Sequence, residues 1–361
     1  MSAHRPRSAV ILTPKANGAD GVSAVTRLVA RSLVNAGVDT RVLALEDDPR
    51  DDLGDGPLAA PVESAGGRRL RFLLNGLKAA GTGQPEIVIA THLRMLPAAV
   101  PLAARGVPVA TFLLGVECWS ALSRRDRSLL ARTRRLLPIS CWTHARFLAA
   151  NPSLATMPMT LCPPGVLPTP VPSTRPVQGR ALVVGRLWAE ERYKGHDLLI
   201  DVWPAVRRAC PGAGLMVVGD GDDRPRLEAR VREEGLVEAI SFAGLVSQEQ
   251  LRQNFADAQV FVLPSEGEGF GIVFLEAMRA ARPCVAAAGA AEESVINGVT
   301  GVVLDARDCN ALTAALVQLL SDPARCDALG AAGRQRLEQE FSQARFADRL
   351  MAAVEETCAP C

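Results

Sequence analysis

The sequence predicts an α/β protein made of two doubly wound parallel layers in tandem, and three observations predict it. Short β-branched runs alternate with amphipathic helical stretches along most of the chain. The alternation is interrupted once, by prolines 163, 164, 168, 170, 172 and 176, and then restarts. A length of 361 residues, at roughly 150 per domain, suits two domains. Proline fixes the backbone and removes a donor, so the interruption reads as a semi-rigid linker and domain boundary. The first domain is expected over 1–172 and the second over 173–340.

The elements follow in order. In the first half the strand candidates are 9–13, 40–45, 87–91, 107–112 and 136–139, with helices over 22–35 and 142–150 among those between them. After the linker they are 181–184, 214–218, 239–242, 260–263, 284–287 and 301–304. Both halves read as Rossmann-like layers, with no sequence repeat relating them. The longest apolar stretch, 95–119, carries Arg105 and Glu117 and is broken by Pro97, Pro101, Gly106 and Pro108, so it is not a spanning helix. The apolar run 9–12 is too short for a signal-peptide core.

Composition narrows the classes. With 48% hydrophobic and 22% charged residues, the chain reads as soluble and globular. Its 40 Lys and Arg against 39 Asp and Glu argue against a nucleic-acid binder. Split at the linker, residues 1–172 hold 20 against 12, or +8, and residues 173–361 hold 20 against 27, or −7. Much of the positive charge sits at Arg68, Arg69, Arg71 and Lys78, and at Arg124, Arg125, Arg127, Arg132, Arg134 and Arg135. Such clusters can dock on anionic lipid or hold an anionic acceptor, and they are equally readable as a solvated helix face. Only three lysines occur, and Tyr193 is the sole tyrosine. The nine cysteines are scattered, which fits a reducing cytoplasm; the CxxC of Cys358 and Cys361 has no second pair and reads as a tail.

Two segments carry the chemistry. Residues 260–282, VFVLPSEGEGFGIVFLEAMRAAR, run from an apolar strand through a glycine-rich turn into a helix beginning near Ile272. Gly267, Gly269 and Gly271 leave amides uncovered at a helix N-terminus, which suits an anion or a cluster of hydroxyls. Glu268 in the turn and Glu276 in the helix could hold different parts of one ligand; the plain alternative is a glycine turn feeding an ordinary helix. In residues 183–203, VVGRLWAEERYKGHDLLIDVW, Arg186 and Lys194 follow a strand end, where two cations suit a diphosphate. Gly219 and Gly221, read alone, are a weak dinucleotide fingerprint because the third glycine is missing.

PSEGEGFGIVFLEAM resembles the E-x7-E signature of retaining glycosyltransferases of family 4 (glycosyl transferases group 1), with Glu268 and Glu276 at its two acidic positions. The resemblance implies the GT-B fold: two facing Rossmann-like doubly wound domains, with a last helix, here 341–354 within a crossing helix and tail 341–361, returning to the first. It implies that Glu268 binds donor-sugar hydroxyls and Glu276 the nucleotide ribose. The loop amides of Gly269, Phe270 and Gly271 would help hold sugar and phosphate, and Arg186 and Lys194 would grip the diphosphate. MVVGDGD (216–222) and ISFAGLVSQEQL (240–251) resemble further family segments, placing Gly219 in the donor turn and the backbone of Leu245 and Val246 beside the base.

In the first half, NGADGVSAVT (17–26) resembles the family's Gly-rich first loop, where Gly18 and Gly21 would approach donor phosphate or acceptor. A simple β-to-α turn reads as well. His92, after an apolar strand, would sit at a cleft edge, as a ligand contact or a structural histidine. Gly115, Val116, Glu117 and Trp119 resemble an H-G-x-E-x-W motif of one branch, but Leu114 stands where the histidine belongs and can neither hydrogen-bond nor carry a proton.

The expected activity is retaining, metal-independent transfer of a sugar from a UDP- or GDP-linked donor to the hydroxyl of a sugar or lipid-linked acceptor, in glycan, glycolipid or exopolysaccharide synthesis. Glu268, Arg186, Lys194 and His92 would carry it. No cofactor is expected beyond the donor substrate, and the location is cytoplasmic, with peripheral contact at an anionic inner membrane face. The alternatives are a non-catalytic or weakly active relative that binds nucleotide sugar, or a same-fold phosphorylase or epimerase.

Overall fold

The structure is a computed structural model that describes residues 5–18, 20–47, 58–81, 84–172 and 174–359. Cys361 of the terminal CxxC lies outside the described residues. The chain divides into two compact units, one of Met1–Pro168 with Phe341–Cys361 and one of Thr169–Glu340.

In the first unit the order is β1 (Ser8–Thr13), α1 (Gly21–Asn35), β2 (Asp39–Ala44), β3 (Val62–Ser64), α2 (Arg69–Gly81) and β4 (Ile87–Ala90). Then come α3 (Leu96–Ala103), β5 (Val109–Leu113), α4 (Arg124–Leu130), β6 (Arg135–Pro138) and α5 (Cys141–Ala150). The second unit holds β7 (Arg180–Val184), α6 (His196–Ala209), β8 (Gly214–Val218), α7 (Arg224–Glu233), β9 (Ile240–Gly244), α8 (Gln248–Asp257) and β10 (Val260–Leu263). It continues with α9 (Ile272–Arg279), β11 (Cys284–Ala287), β12 (Gly301–Leu304), α10 (Cys309–Ser321) and α11 (Pro323–Glu340), after which α12 (Gln343–Cys358) belongs to the first unit.

Each unit has one six-stranded sheet, ordered β3-β2-β1-β4-β5-β6 and β12-β11-β10-β7-β8-β9, with every strand pair parallel. Numbered within its own unit, the second order is the first read from the other edge. Both are the doubly wound order whose direction reverses beside the first strand, and ligands gather at that reversal, beyond the strand C-termini. The reversals lie between β1 and β4 and between β7 and β10.

Helices on both faces explain the strand sequences. A strand covered on both sides needs no polar alternation, and β4 (IVIA) and β10 (VFVL) are buried at every position. β3 escaped the sequence reading because it is three residues at the sheet edge with none buried. The apolar stretch 95–119 resolves into α3, β5 and short turns, as its prolines require. Helix starts carry side-chain caps, including Asp20 on Ser23 N and a reciprocal Ser247–Gln250 box on α8. In the second unit Phe255, Phe261 and Phe274 stack in sequence, with ring centroids 5.5 and 5.6 Å apart. That stack ties β10 to α9 and so fixes the turn between them.

Candidate nucleotide-sugar site

The second unit gathers charge at the reversal between β7 and β10. Lys194 leaves the loop after β7 and donates from Nζ to Glu268 Oε1 at 2.9 Å, joining it to the turn after β10. The two side chains are 13% and 15% exposed, so the pair is well shielded from water. Burial by itself would lower the Lys194 ammonium, but the Glu268 carboxylate outweighs it and holds the group above its ordinary value, fully charged. Tyr193 lies beneath, its ring centroid 5.7 Å from Nζ. Arg186 pairs with Glu191 and stacks over Trp188 at 5.1 Å. Burial first, then Glu191 and Glu268, raise the Tyr193 hydroxyl, while Lys194 and Arg186 act the other way.

Glycines permit this closeness. A Cβ on Gly267 would lie 2.4 Å from the Tyr193 ring, and one on Gly219 would lie 1.9 Å from the Gly185 carbonyl oxygen. Gly219 also has a φ of +137°, so its place in the turn after β8 has a backbone reason. Gly271, at φ +81°, starts α9 without a side-chain cap; Phe274 N donates to the Gly271 carbonyl at 2.9 Å, which leaves the Ile272 and Val273 amides to face an anion. Phe270 is 2% exposed and anchors the turn in the core, while Glu276 is half-buried in the second turn of α9. Leu245 is 78% exposed just beyond β9, with Val246 half-buried after it.

Two features were not singled out from the sequence. The loop bearing Lys194 is moored by Arg192, whose Nη2 and Nε donate to Asp223 at 2.8 and 3.1 Å. Asp223 also accepts from Arg226, which itself grips Asp197 with two bonds of 2.7 Å. These hydrogen bonds from Arg226 and Arg192 hold the Asp223 carboxyl far below the usual carboxylate range. The second feature is His196, the first residue of α6. It is 7% exposed, its Nε2 has no hydrogen-bond partner, and burial, helped by the Lys194 charge, pushes its imidazole down to about 4. Its position directly after the K-G pair is the one signal the sequence offers for it.

The first unit places Gly18, Gly21 and His92 at its own reversal. The loop after β1 is clamped by Asp47, whose Oδ1 accepts from Ala16 N and Asn17 N at 2.8 and 3.1 Å. Arg27 clamps it from the other side, donating to the Ala16 and Gly18 carbonyls at 3.2 and 2.7 Å. Gly18 packs where a Cβ would meet Ser23 Oγ at 2.7 Å, and Gly21 opens α1 behind the Asp20 cap. His92 follows β4 and accepts from Arg94 N at its Nδ1, 3.1 Å. Burial pushes it down, against the pull of Glu117, so it is neutral near pH 7 with its proton on Nε2. Glu117 Oε1 accepts from the amides of Leu114 and Gly115 at 2.7 and 3.1 Å.

Solved structures share this architecture. A sucrose-phosphate synthase from Thermosynechococcus elongatus aligns with TM-score 0.78 at 22% identity, covering 94% of this chain and 96% of the other. Anabaena HepE, in complex with UDP and glucose, aligns with TM-score 0.79 at 17% identity over 98% and 100% of the two chains. The chain has the GT-B fold. Residues 178–322 match the family described as glycosyl transferases group 1. Among curated relatives, a GDP-mannose-dependent alpha-(1-6)-phosphatidylinositol monomannoside mannosyltransferase of Mycolicibacterium smegmatis is 36% identical over 214 residues, 54% of this chain and 55% of that protein. A glycogen synthase of Mycobacterium tuberculosis is 38% identical over 175 residues, 48% and 42% of the two. The chain thus spans about half the length of the curated relatives it matches.

Proposed function

We propose that the protein is a retaining glycosyltransferase that moves a sugar from a nucleotide-diphosphate donor to an acceptor hydroxyl without a metal ion. The observation that carries this reading is the shielded Lys194–Glu268 pair at the β7–β10 reversal, beside the uncapped start of α9. An ammonium, a carboxylate and the Ile272 and Val273 amides of an uncapped helix start at one strand-end crevice match the parts of a sugar diphosphate: cation and amides for the anion, carboxylate for hydroxyls. Lys194 has three donors, so Glu268 occupies one and two remain for phosphate oxygens.

In the proposed reaction the acceptor oxygen bonds to the anomeric carbon as the bond from that carbon to the diphosphate oxygen breaks. The departing diphosphate keeps the electron pair and takes the acceptor proton from the same face. Lys194 and Arg186 stabilise the negative charge that develops, Glu268 orients the sugar, and Glu276 binds the ribose. Gly219, Leu245, Val246, Gly269, Phe270 and Gly271 supply backbone around phosphate and base. The relatives' names support a GDP- or UDP-linked donor and a sugar or lipid-linked acceptor, and the free state of all eight described cysteines suits a cytoplasmic setting.

Thermal shift with UDP, GDP, ADP and their sugars tests the reading. A ligand present at about a hundred times its Kd stabilises by about 2.7 kcal/mol, and EDTA should leave that shift intact. No shift with any of them overturns the proposal. A second reading, a donor-binding but inactive relative, is favoured by Leu114 in place of the motif histidine, with Glu117 turned onto the Leu114 and Gly115 amides.

A further inference from the structure

Helix α2 turns an apolar stripe outwards. Leu70, Leu73, Leu74 and Leu77 are 71, 39, 54 and 50% exposed, and their spacing puts them on one face. Among the described residues no other α-helix exposes a large apolar side chain to this degree. The opposite face, with Phe72, Gly76, Ala79 and Ala80, is buried against the unit. Gly76 seats that face, since a Cβ there would lie 2.5 Å from the Ala98 carbonyl oxygen. The helix cannot roll its leucines inward without leaving that seat.

Cations border the stripe. At about 100° per residue, Arg69 falls to one side of the leucines, and Arg71 and Lys78 to the other. Arg68 immediately precedes the helix, and α2 contains no acidic residue. We infer that α2 lies flat on an anionic membrane surface, with its leucines among the acyl chains and its basic side chains at the headgroups. A second copy of the chain is the weaker occupant, because it would press two such basic rims together. No described helix is long and apolar enough to cross a membrane, so the contact is superficial. Docking is a property of the first unit and stands or falls apart from the sugar-transfer reading.

The test is co-sedimentation of the full chain with phosphatidylglycerol–phosphatidylcholine vesicles and with phosphatidylcholine vesicles alone. Binding to the anionic vesicles is expected at low salt, weakening at least ~tenfold at high salt. Each cation near an anionic leaflet contributes roughly fivefold, so Arg69→Glu with Arg71→Glu should weaken binding at least ~25-fold. Leu70→Ser with Leu74→Ser should weaken it at least ~tenfold while leaving its salt dependence unchanged. Both variants change exposed side chains, and unaltered melting and nucleotide binding would show that the fold persists. No sedimentation with anionic vesicles at low salt, or undiminished binding by both variants, overturns the inference. So does a solution dimer that the leucine variant dissociates, which would assign the face to self-association.

Discussion

Lys194 and Glu268 meet at 2.9 Å across the one place in the second sheet where strand order reverses. Each is the other's partner in a largely water-excluded spot, so removing either leaves a poorly solvated charge. Lys194→Met and Glu268→Gln should each lower the melting temperature, and the double variant should recover part of the loss. Turnover should fall ~100- to 1,000-fold in Lys194→Met, the scale set by losing one preorganised charge at a leaving group. Glu276→Ala should instead weaken nucleotide binding. Full activity and donor affinity in all of these variants would remove the site from the β7–β10 crevice.

Asp223 touches Arg192 and so acts on Lys194 through the loop it moors. Asp223→Asn keeps the shape but loosens Arg192, so the KM for donor should rise roughly tenfold, the scale of one lost charge-assisted hydrogen bond, with kcat much less affected. An unchanged KM with reduced kcat would contradict a positioning role.

His196 predicts a pH dependence. Its folded value of about 4 lies below the ordinary 6.5, so the unfolded chain binds the proton more readily. The full stability is present above about pH 6.5 and falls as the pH drops towards 4, by about 2 kcal/mol between pH 7 and pH 5. Asp197 is also shifted, downwards from 3.8, burial opposing and the Arg226 and Arg230 hydrogen bonds prevailing. Its loss therefore comes at lower pH, and the two windows separate. Denaturant titrations from pH 7 to 5 should show a distinctly smaller loss in His196→Phe than in the native chain, the remainder belonging to His92, whose imidazole burial also lowers.

Gly219→Ala and Gly267→Ala should part company. The first drives a Cβ into a main-chain carbonyl that cannot move, so soluble protein should be lost. The second meets only the Tyr193 ring, which can swing away, so the chain should fold but bind nucleotide poorly. Equal yields of soluble, equally stable protein would refute the close approach at Gly219.

Leu114→His restores a polar group beside Glu117. A large gain in transfer or donor hydrolysis would mark the present site as impaired, and no change would mark one that works without that histidine.

Much of this was legible in the chain. The strands 214–218, 260–263, 284–287 and 301–304 have the predicted bounds, because each is an unbroken run of apolar residues and glycine between turn residues, buried at every position in 260–263 and 284–287. The glycine-rich turn and the Glu268–Glu276 spacing were equally plain. The Arg192–Asp223 mooring was not, since its partners stand 31 positions apart and nothing local pairs them. Nor was the outward side of α2: Phe72 is the one large apolar residue on its packing face, which is otherwise Asn75, Gly76, Ala79 and Ala80, so the four leucines opposite carry the stronger hydrophobic signature. Gly219 reads from the sequence as a ligand contact, and its backbone reasons, the approach of the Gly185 carbonyl and a φ of +137°, appear only in the structure.

Helix α12 completes the first unit although the whole second unit precedes it in the chain. Its buried residues Phe346, Leu350, Ala353 and Val354 belong to the side that packs into the first unit, where α1 is its neighbour. During synthesis the second unit therefore emerges whole while the first still lacks its closing helix. The nascent first sheet must wait for some 170 residues with part of its apolar surface uncovered. Truncation at the C-terminus should accordingly injure the half of the protein that was made first.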